Sequence, residues 1–407
     1  CFILGAALSF KQAIQPFLDW TAQQASAILS RIIRGQDLEI PTHFLGGALL
    51  ILSMLLIFVG LRAGVRHLFE TLNPGLKSGM VDVYLRRQQL AQGPRIVALG
   101  GGTGLSTLLK GLKQHSSNIT AIVTVTDDGG SSGRLVKEKG IIPPGDIRNC
   151  LVALADAEKS MTDLFQHRFK KESGSLSGHS MGNLLIAALV DQAQGDFDKA
   201  VEIASDVLAI RGRVIPSTLD NVHLRAILDD GSEISGETAI VGSGKRIRRI
   251  FLEPANVNPY QPALDAIRDA DLICIGPGSV YTSVIPNLLI PGVAQALRES
   301  KATKVYVCNV MTQPGESDSF SASEHVTAVQ LNVQTRAFDY VMVNTGVPSE
   351  ASLDKYRESG QFYVEPDHDR IRAMGFRPVT GNFMSESDFV RHDPMRVAAR
   401  LVKMVGQ

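Results

Sequence analysis

The chain is poor in cysteine and carries no net charge. Four cysteines in 407 residues (Cys1, Cys150, Cys274 and Cys308) show no C-x-x-C spacing. This excludes a disulfide scaffold and reads as a reduced, cytosolic protein. Forty-one basic and 41 acidic residues cancel, which argues against nucleic acid as a partner, since such binders carry a basic excess. No segment repeats at a period of about 20–50 residues and no low-complexity tract occurs, so repeat arrays are excluded. What is present is ordinary globular material. Hydrophobic residues make up 44% and charged residues 20%, enough for a large core and, at roughly 150 residues each, two to three folding units.

Long apolar runs are confined to the N-terminal part. Phe44 to Leu61 is 18 residues without a charge, about 27 Å as a helix against a bilayer core of roughly 30 Å. The expectation is a transmembrane helix, a buried core helix being the alternative. Residues 1–10 are nearly all apolar and read as the end of an earlier span. Between the two, Ile14, Phe17, Leu18, Ala25, Ile28, Leu29 and Ile32 recur at helical spacing, predicting an amphipathic helix on the membrane surface. The expected organisation is an anchor over 1–61, a juxtamembrane linker over 62–93 and one large domain over 94–407. That places the protein at the inner membrane, single- or multi-pass, with its main domain in the cytoplasm.

The large domain opens on residues 95–99, RIVAL, a buried-strand pattern running into Gly100-Gly101-Gly102-Thr103-Gly104 and then a leucine-rich helix. Strand, glycine loop and helix in that order suit a phosphate, because backbone N–H groups and a helix N-terminus face the anion. No Gly-Lys-Ser/Thr follows, and Leu105 stands where a dinucleotide fingerprint needs its third glycine. A plain tight turn is the alternative.

The strand expected over 119–126 ends in Asp127-Asp128-Gly129-Gly130-Ser131-Ser132-Gly133. Ligands of open parallel sheets sit beyond such carboxyl ends. Asp127 stands 23 residues beyond Gly104, a spacing suited to a ribose hydroxyl; the two acids would equally hold Mg²⁺, activate a hydroxyl, or cap a turn. The run containing Ser131 is too polar for the core and is expected to wrap a ligand. Asp146 in PPGDIRN reads as the N-cap of its own helix, and Arg148 as a phosphate or salt-bridge partner. His179 and Asn183, four apart, would share a helix face; nothing completes a metal set around them. Residues 213–253 predict a small antiparallel insertion whose basic stripe is a solvated face. Further strands over 271–276, 304–310 and 340–346 each end in Gly, Ser, Thr or Asn, putting several polar loops on one sheet edge.

In order, GGGTGLS, TVTDDGGSSG, PPGDIRN, GHSMGNLL, IGPGSVYTSVIPNLL and NVMTQPGES closely resemble the YvcK-like gluconeogenesis factor family, whose relatives are the CofD-like 2-phospho-lactate transferases. The resemblance covers about residues 94–405. It implies an α/β fold with a doubly wound, Rossmann-like parallel sheet, the antiparallel insertion added and transmembrane helices in front. It also implies a UDP-sugar ligand, UDP-N-acetylglucosamine above all, and a role in carbon flux and cell shape. By matching motif, Gly101, Gly102, Thr103 and Gly104 would hold phosphate, with Asp127 and Asp128 at the ligand. Asn183, Gly276, Gly278, Ser279 and Tyr281 would line the crevice, and Tyr356 and Arg391 would complete it, Arg391 being suited to a diphosphate. Pro394 stands where some relatives have threonine, which removes a phosphorylation site. The membrane segments resemble the extended versions known from cyanobacteria.

Two functions follow. The preferred one is a membrane-tethered nucleotide-sugar binder that regulates metabolism and envelope synthesis. The other is a CofD-like phosphotransferase moving a phospholactyl-type group from a nucleotide diphosphate donor with Mg²⁺, in which Asp127 and Asp128 are the catalytic acids. No cofactor is firmly implied, that Mg²⁺ included. No protein partner is indicated, and self-association stays open.

Overall fold

The computed structural model describes residues 15–17, 19–20, 23–24, 27, 51–64, 80–170, 172–386 and 389–406. They fall into two units, divided between Tyr84 and Leu85. In the first, Ile51–Gly64 is a helix in which every residue is exposed. The expected earlier span, most of the expected amphipathic helix, and residues 44–50 of the expected second span lie outside the described residues. Among the described residues no single helix is long and apolar enough to cross a membrane.

The second unit begins earlier than position 94. The helix Met80–Ala91 occupies much of the expected linker, and Leu90 on it is buried. Asn118 donates to the carbonyls of Ala91 and Gly93, both at 2.8 Å. From Leu85 onward this stretch therefore belongs to the second unit.

Seven strands form the central sheet: β1 (Ile96–Gly100), β2 (Ile119–Val123), β3 (Arg213–Pro216), β7 (Leu272–Ile275), β8 (Thr303–Val307), β9 (Tyr340–Asn344) and β10 (Arg377–Gly381). Their order is β10-β9-β8-β7-β1-β2-β3, and every pairing is parallel. β1 and β7, at the centre, are buried along their whole length, whereas the edge strands β3 and β10 each have an exposed end. A parallel sheet covered on both faces needs such unbroken apolar runs, which is why IVALG and LICI read as strands at once. The fold is the α/β, Rossmann-like one expected. From β1 the chain builds outward to β2 and β3, then returns to the other side of β1 as β7. The reversal point lies between β1 and β7, where open sheets bind ligands.

The antiparallel insertion exists but is shorter than 213–253. Arg213–Pro216 pairs with β2 in the main sheet. The insertion proper is β4 (His223–Leu228), β5 (Glu233–Ser235) and β6 (Ile247–Glu253), ordered β5-β4-β6. Leu224, Ala226 and Leu228 face inward in alternation, as a one-sided sheet requires. Arg225 lies between Glu233 (2.7 Å) and Glu253 (3.1 Å), and Arg248 and Arg249 are exposed. The basic stripe is a solvated face. A last hairpin, β11 (Met384–Glu386) with β12 (Val390–His392), precedes the helix Pro394–Val402, whose N-cap is Asp393.

Candidate functional site

A cavity of about 610 Å³ opens at the reversal point, within the range of small-molecule sites. Its floor is the turn after β1. Gly101 is the N-cap of the helix Gly102–Leu112, and Gly102 has φ +62°, a conformation that favours glycine. A Cβ on Gly104 would stand 2.4 Å from the Pro277 carbonyl oxygen, so only glycine lets the loop after β7 lie on this first turn. Asn309, beyond β8, holds that second loop by accepting from the Gly278 N–H (3.1 Å) and donating to the Gly278 carbonyl (2.9 Å).

One wall is acidic. The Gly102 N–H, expected to meet a phosphate, donates to Asp146 Oδ2 at 2.7 Å. Asp146 therefore does not cap its own helix; Pro143 occupies that position and Asp146 sits inside the helix Pro144–Leu154. Burial, helped by the nearby Asp127 charge, pushes the Asp146 carboxyl up to about 6, with the Gly102 N–H and Arg148 opposing the rise. Asp127 lines the cavity and accepts from Gly129 N–H at 2.9 Å. Glu237, from the insertion's helix Glu237–Gly242, completes the wall. Burial, then the charges of Asp127, Asp146, Glu316 and Asp128, push its carboxyl up to about 9, so it is protonated at neutral pH.

The other rim is cationic and aromatic, built from elements that follow β9 and β10. Lys355 and Tyr356 come from the helix Glu350–Arg357, and Phe389, Arg391 and His392 from the last hairpin. The Tyr356 hydroxyl accepts from Val390 N–H (2.9 Å) and donates to Val390 C=O (3.4 Å). It thereby holds the strand that presents Arg391. Burial lowers the His392 imidazole to about 4, so the ring is neutral.

Of the expected site residues, Gly101, Gly102, Thr103, Gly104, Asp127, Gly278, Ser279, Tyr356 and Arg391 line this cavity. Five stand behind it. Asp128 turns to the insertion, where its Oδ1 accepts from Thr238 N–H (2.9 Å) and Thr238 Oγ1–H (2.6 Å). It docks the helix that delivers Glu237. Ser131 and Asn183 are buried in a polar network: Asn183 donates to Ser131 Oγ (3.1 Å) and accepts from Arg148 (3.0 Å), while Ser131 pairs with His179 Nδ1 (3.0 Å). His179 precedes the N-cap Ser180 of the helix Met181–Gln192, so it does not share a helix face with Asn183; Ser131 is what joins them. Gly276 lies under the floor, and the buried Tyr281 donates to Ile247 C=O at 3.3 Å. Sequence reasoning missed Glu237, Lys355, Phe389 and Asn309 as cavity residues, and gave Asp146 the wrong partner. The available signals were the position of Lys355 beside Tyr356, that of Phe389 two residues before Arg391, and that of Asn309 at the head of NVMTQPGES.

Against known proteins, the family model described as 2-phospho-L-lactate transferase CofD matches residues 96–384. The chain belongs to the CofD family. Within it, the chain is 47% identical over 382 residues to a putative gluconeogenesis factor of Nostoc sp., covering 93% of this chain and 83% of that protein. It is 46% identical over 320 residues to the gluconeogenesis factor of Bacillus subtilis, covering 78% of this chain and 100% of that one. A crystal structure of a UPF0052-family protein from Bacillus halodurans superposes with TM-score 0.74 at 45% identity, over 76% of this chain and 99% of that one. The resemblance read from six motifs is thereby established, and with it the gluconeogenesis-factor branch of the CofD family.

Among the described residues no group of three or more His, Cys, Asp or Glu is arranged to hold a metal ion. Mg²⁺ commonly rests on one or two carboxylates plus ligand phosphates. Asp127 and Asp146 fit that role, whereas Asp128 is engaged elsewhere.

Proposed function

We propose that this CofD-family protein binds a nucleotide sugar of the UDP-N-acetylglucosamine kind. On this reading it is a membrane-tethered regulator of carbon metabolism and of cell envelope and shape. The observation that carries the reading is the cavity's division into an acidic wall with a glycine floor and a cationic, aromatic rim. A nucleotide sugar needs both: acceptors for hydroxyl groups and cations for a diphosphate. The relatives' name, gluconeogenesis factor, supports the metabolic role. The tether rests on the uncharged run Phe44–Leu61, of which residues 51–61 lie in the fully exposed helix Ile51–Gly64.

A second reading is favoured by the family model's own description, a transferase. Here the same site would move a phospholactyl-type group from a nucleotide diphosphate donor. Mg²⁺ would neutralise the donor's phosphates, Asp127 and Asp146 being the residues to hold it. Calorimetry with UDP-N-acetylglucosamine, beside an assay of donor consumption with and without Mg²⁺, separates the two. The binder shows saturable heat and no turnover; metal-dependent turnover would overturn it in favour of the transferase.

A further inference from the structure

The cavity's two ends dictate which way round a nucleotide lies, and this inference rests on the nucleotide-sugar reading. Phe389 is 51% exposed although it lines the cavity. The exposed part of an aromatic ring at a polar site offers a flat partner a surface. It is also held in place, because its neighbour Val390 is clasped by the Tyr356 hydroxyl through both backbone groups. The Arg391 guanidinium and the Lys355 ammonium lie over this ring, 4.6 Å and 5.8 Å from its centroid, so a base stacking there takes their place on the ring while they turn to its phosphates. Among the described residues no carboxylate pairs with either cation. The opposite wall holds Asp127 and Asp146, and the Gly102 N–H is already committed to Asp146. A diphosphate is repelled there and drawn to the two cations.

We propose that Phe389 is the stacking face for the nucleobase, with Lys355 and Arg391 taking the diphosphate and the sugar hydroxyls turned toward Asp127 and the glycine floor. A planar base joined to phosphates meets an exposed aromatic ring and, beside it, two cations that no carboxylate among the described residues pairs.

The test compares UDP with 5,6-dihydro-UDP, whose saturated ring cannot stack, together with UDP-N-acetylglucosamine, by calorimetry on the full chain. The parent protein should prefer UDP to dihydro-UDP by about tenfold or more, the range of base–aromatic stacking. Phe389→Ala should weaken UDP and UDP-N-acetylglucosamine by that same factor and bind UDP and dihydro-UDP equally. Phe389→Trp should keep the preference. If the parent binds both UDP and UDP-N-acetylglucosamine but does not distinguish UDP from dihydro-UDP, or if the preference survives in Phe389→Ala, the stacking assignment falls while the nucleotide-sugar reading stands. If the parent binds UDP with the expected preference but ignores the sugar moiety, only the nucleotide-sugar reading falls. Binding of no uridine nucleotide overturns both.

Discussion

Asp146→Asn should make the unliganded protein more stable at neutral and alkaline pH. In the fold this carboxyl is buried and titrates near 6, against an ordinary value of 3.8. A carboxyl whose folded pKa lies above its unfolded one costs stability wherever both forms are ionised, here above about pH 6. The cost fades as pH falls from 6 toward 4. At about 1.4 kcal/mol per tenfold change the full cost is roughly 3 kcal/mol. The groups facing it are Asp127, which adds to the cost, and the Gly102 N–H, Arg148 and Asn149, which reduce it. Asparagine keeps the shape and an oxygen for the Gly102 N–H, so the helix start stays capped, by a weaker neutral bond. The expected net gain is about 1–2 kcal/mol at pH 8, shrinking to nothing or reversing at pH 4.5. Denaturant unfolding of parent and variant at the two pH values measures it. A variant less stable than the parent at pH 8, or a gain of equal size at both pH values, would refute the reasoning.

Glu237→Gln imitates the protonated acid, so the two proteins should be about equally stable near pH 4, where the carboxyl is protonated folded and unfolded alike, and the variant should be the more stable at pH 7. As pH rises from about 4.5 toward 9 the parent should lose stability relative to the variant, because the unfolded carboxyl ionises while the folded one, pushed up to about 9, stays protonated. Above 9 the deficit should stay constant; parallel pH profiles of the two melting temperatures between about 4.5 and 9 would count against a raised, neutral carboxyl. Asp128→Ala frees two donors on Thr238 and should destabilise by about 1–3 kcal/mol, while Asp128→Asn, which keeps an acceptor, should cost less; equal losses in unfolding experiments would mean the docking contact does not matter. Gly104→Ala drives a methyl into the Pro277 carbonyl and should cost about 1–3 kcal/mol together with nucleotide affinity, both read in one melting experiment with and without UDP. A chain starting at Leu85 should unfold cooperatively, since the second compact unit begins there, whereas one starting at residue 94 loses the buried Leu90 and should melt lower.

The fold class was legible because burial leaves a local trace. Strands covered on both faces must be apolar along their length, so IVALG, ITAIV, LICI and TKVYV announce themselves, and the glycines after them mark where the backbone turns toward a ligand. The family, too, was legible, since six loops in one order are a linear pattern. Side-chain direction left no such trace. Asp127 and Asp128 are adjacent and chemically alike, yet one faces the cavity and the other anchors Thr238, 110 residues away. Asp146 reads as a cap for its own helix and caps one that starts 44 residues earlier. Glu237 sits in an unremarkable turn of sequence and becomes a cavity residue because the insertion folds back over the sheet edge. The sequence by itself determined the sheet, its order of loops and the family. Strand order and the docking of the insertion, set by packing between segments distant in the chain, decided which polar groups meet.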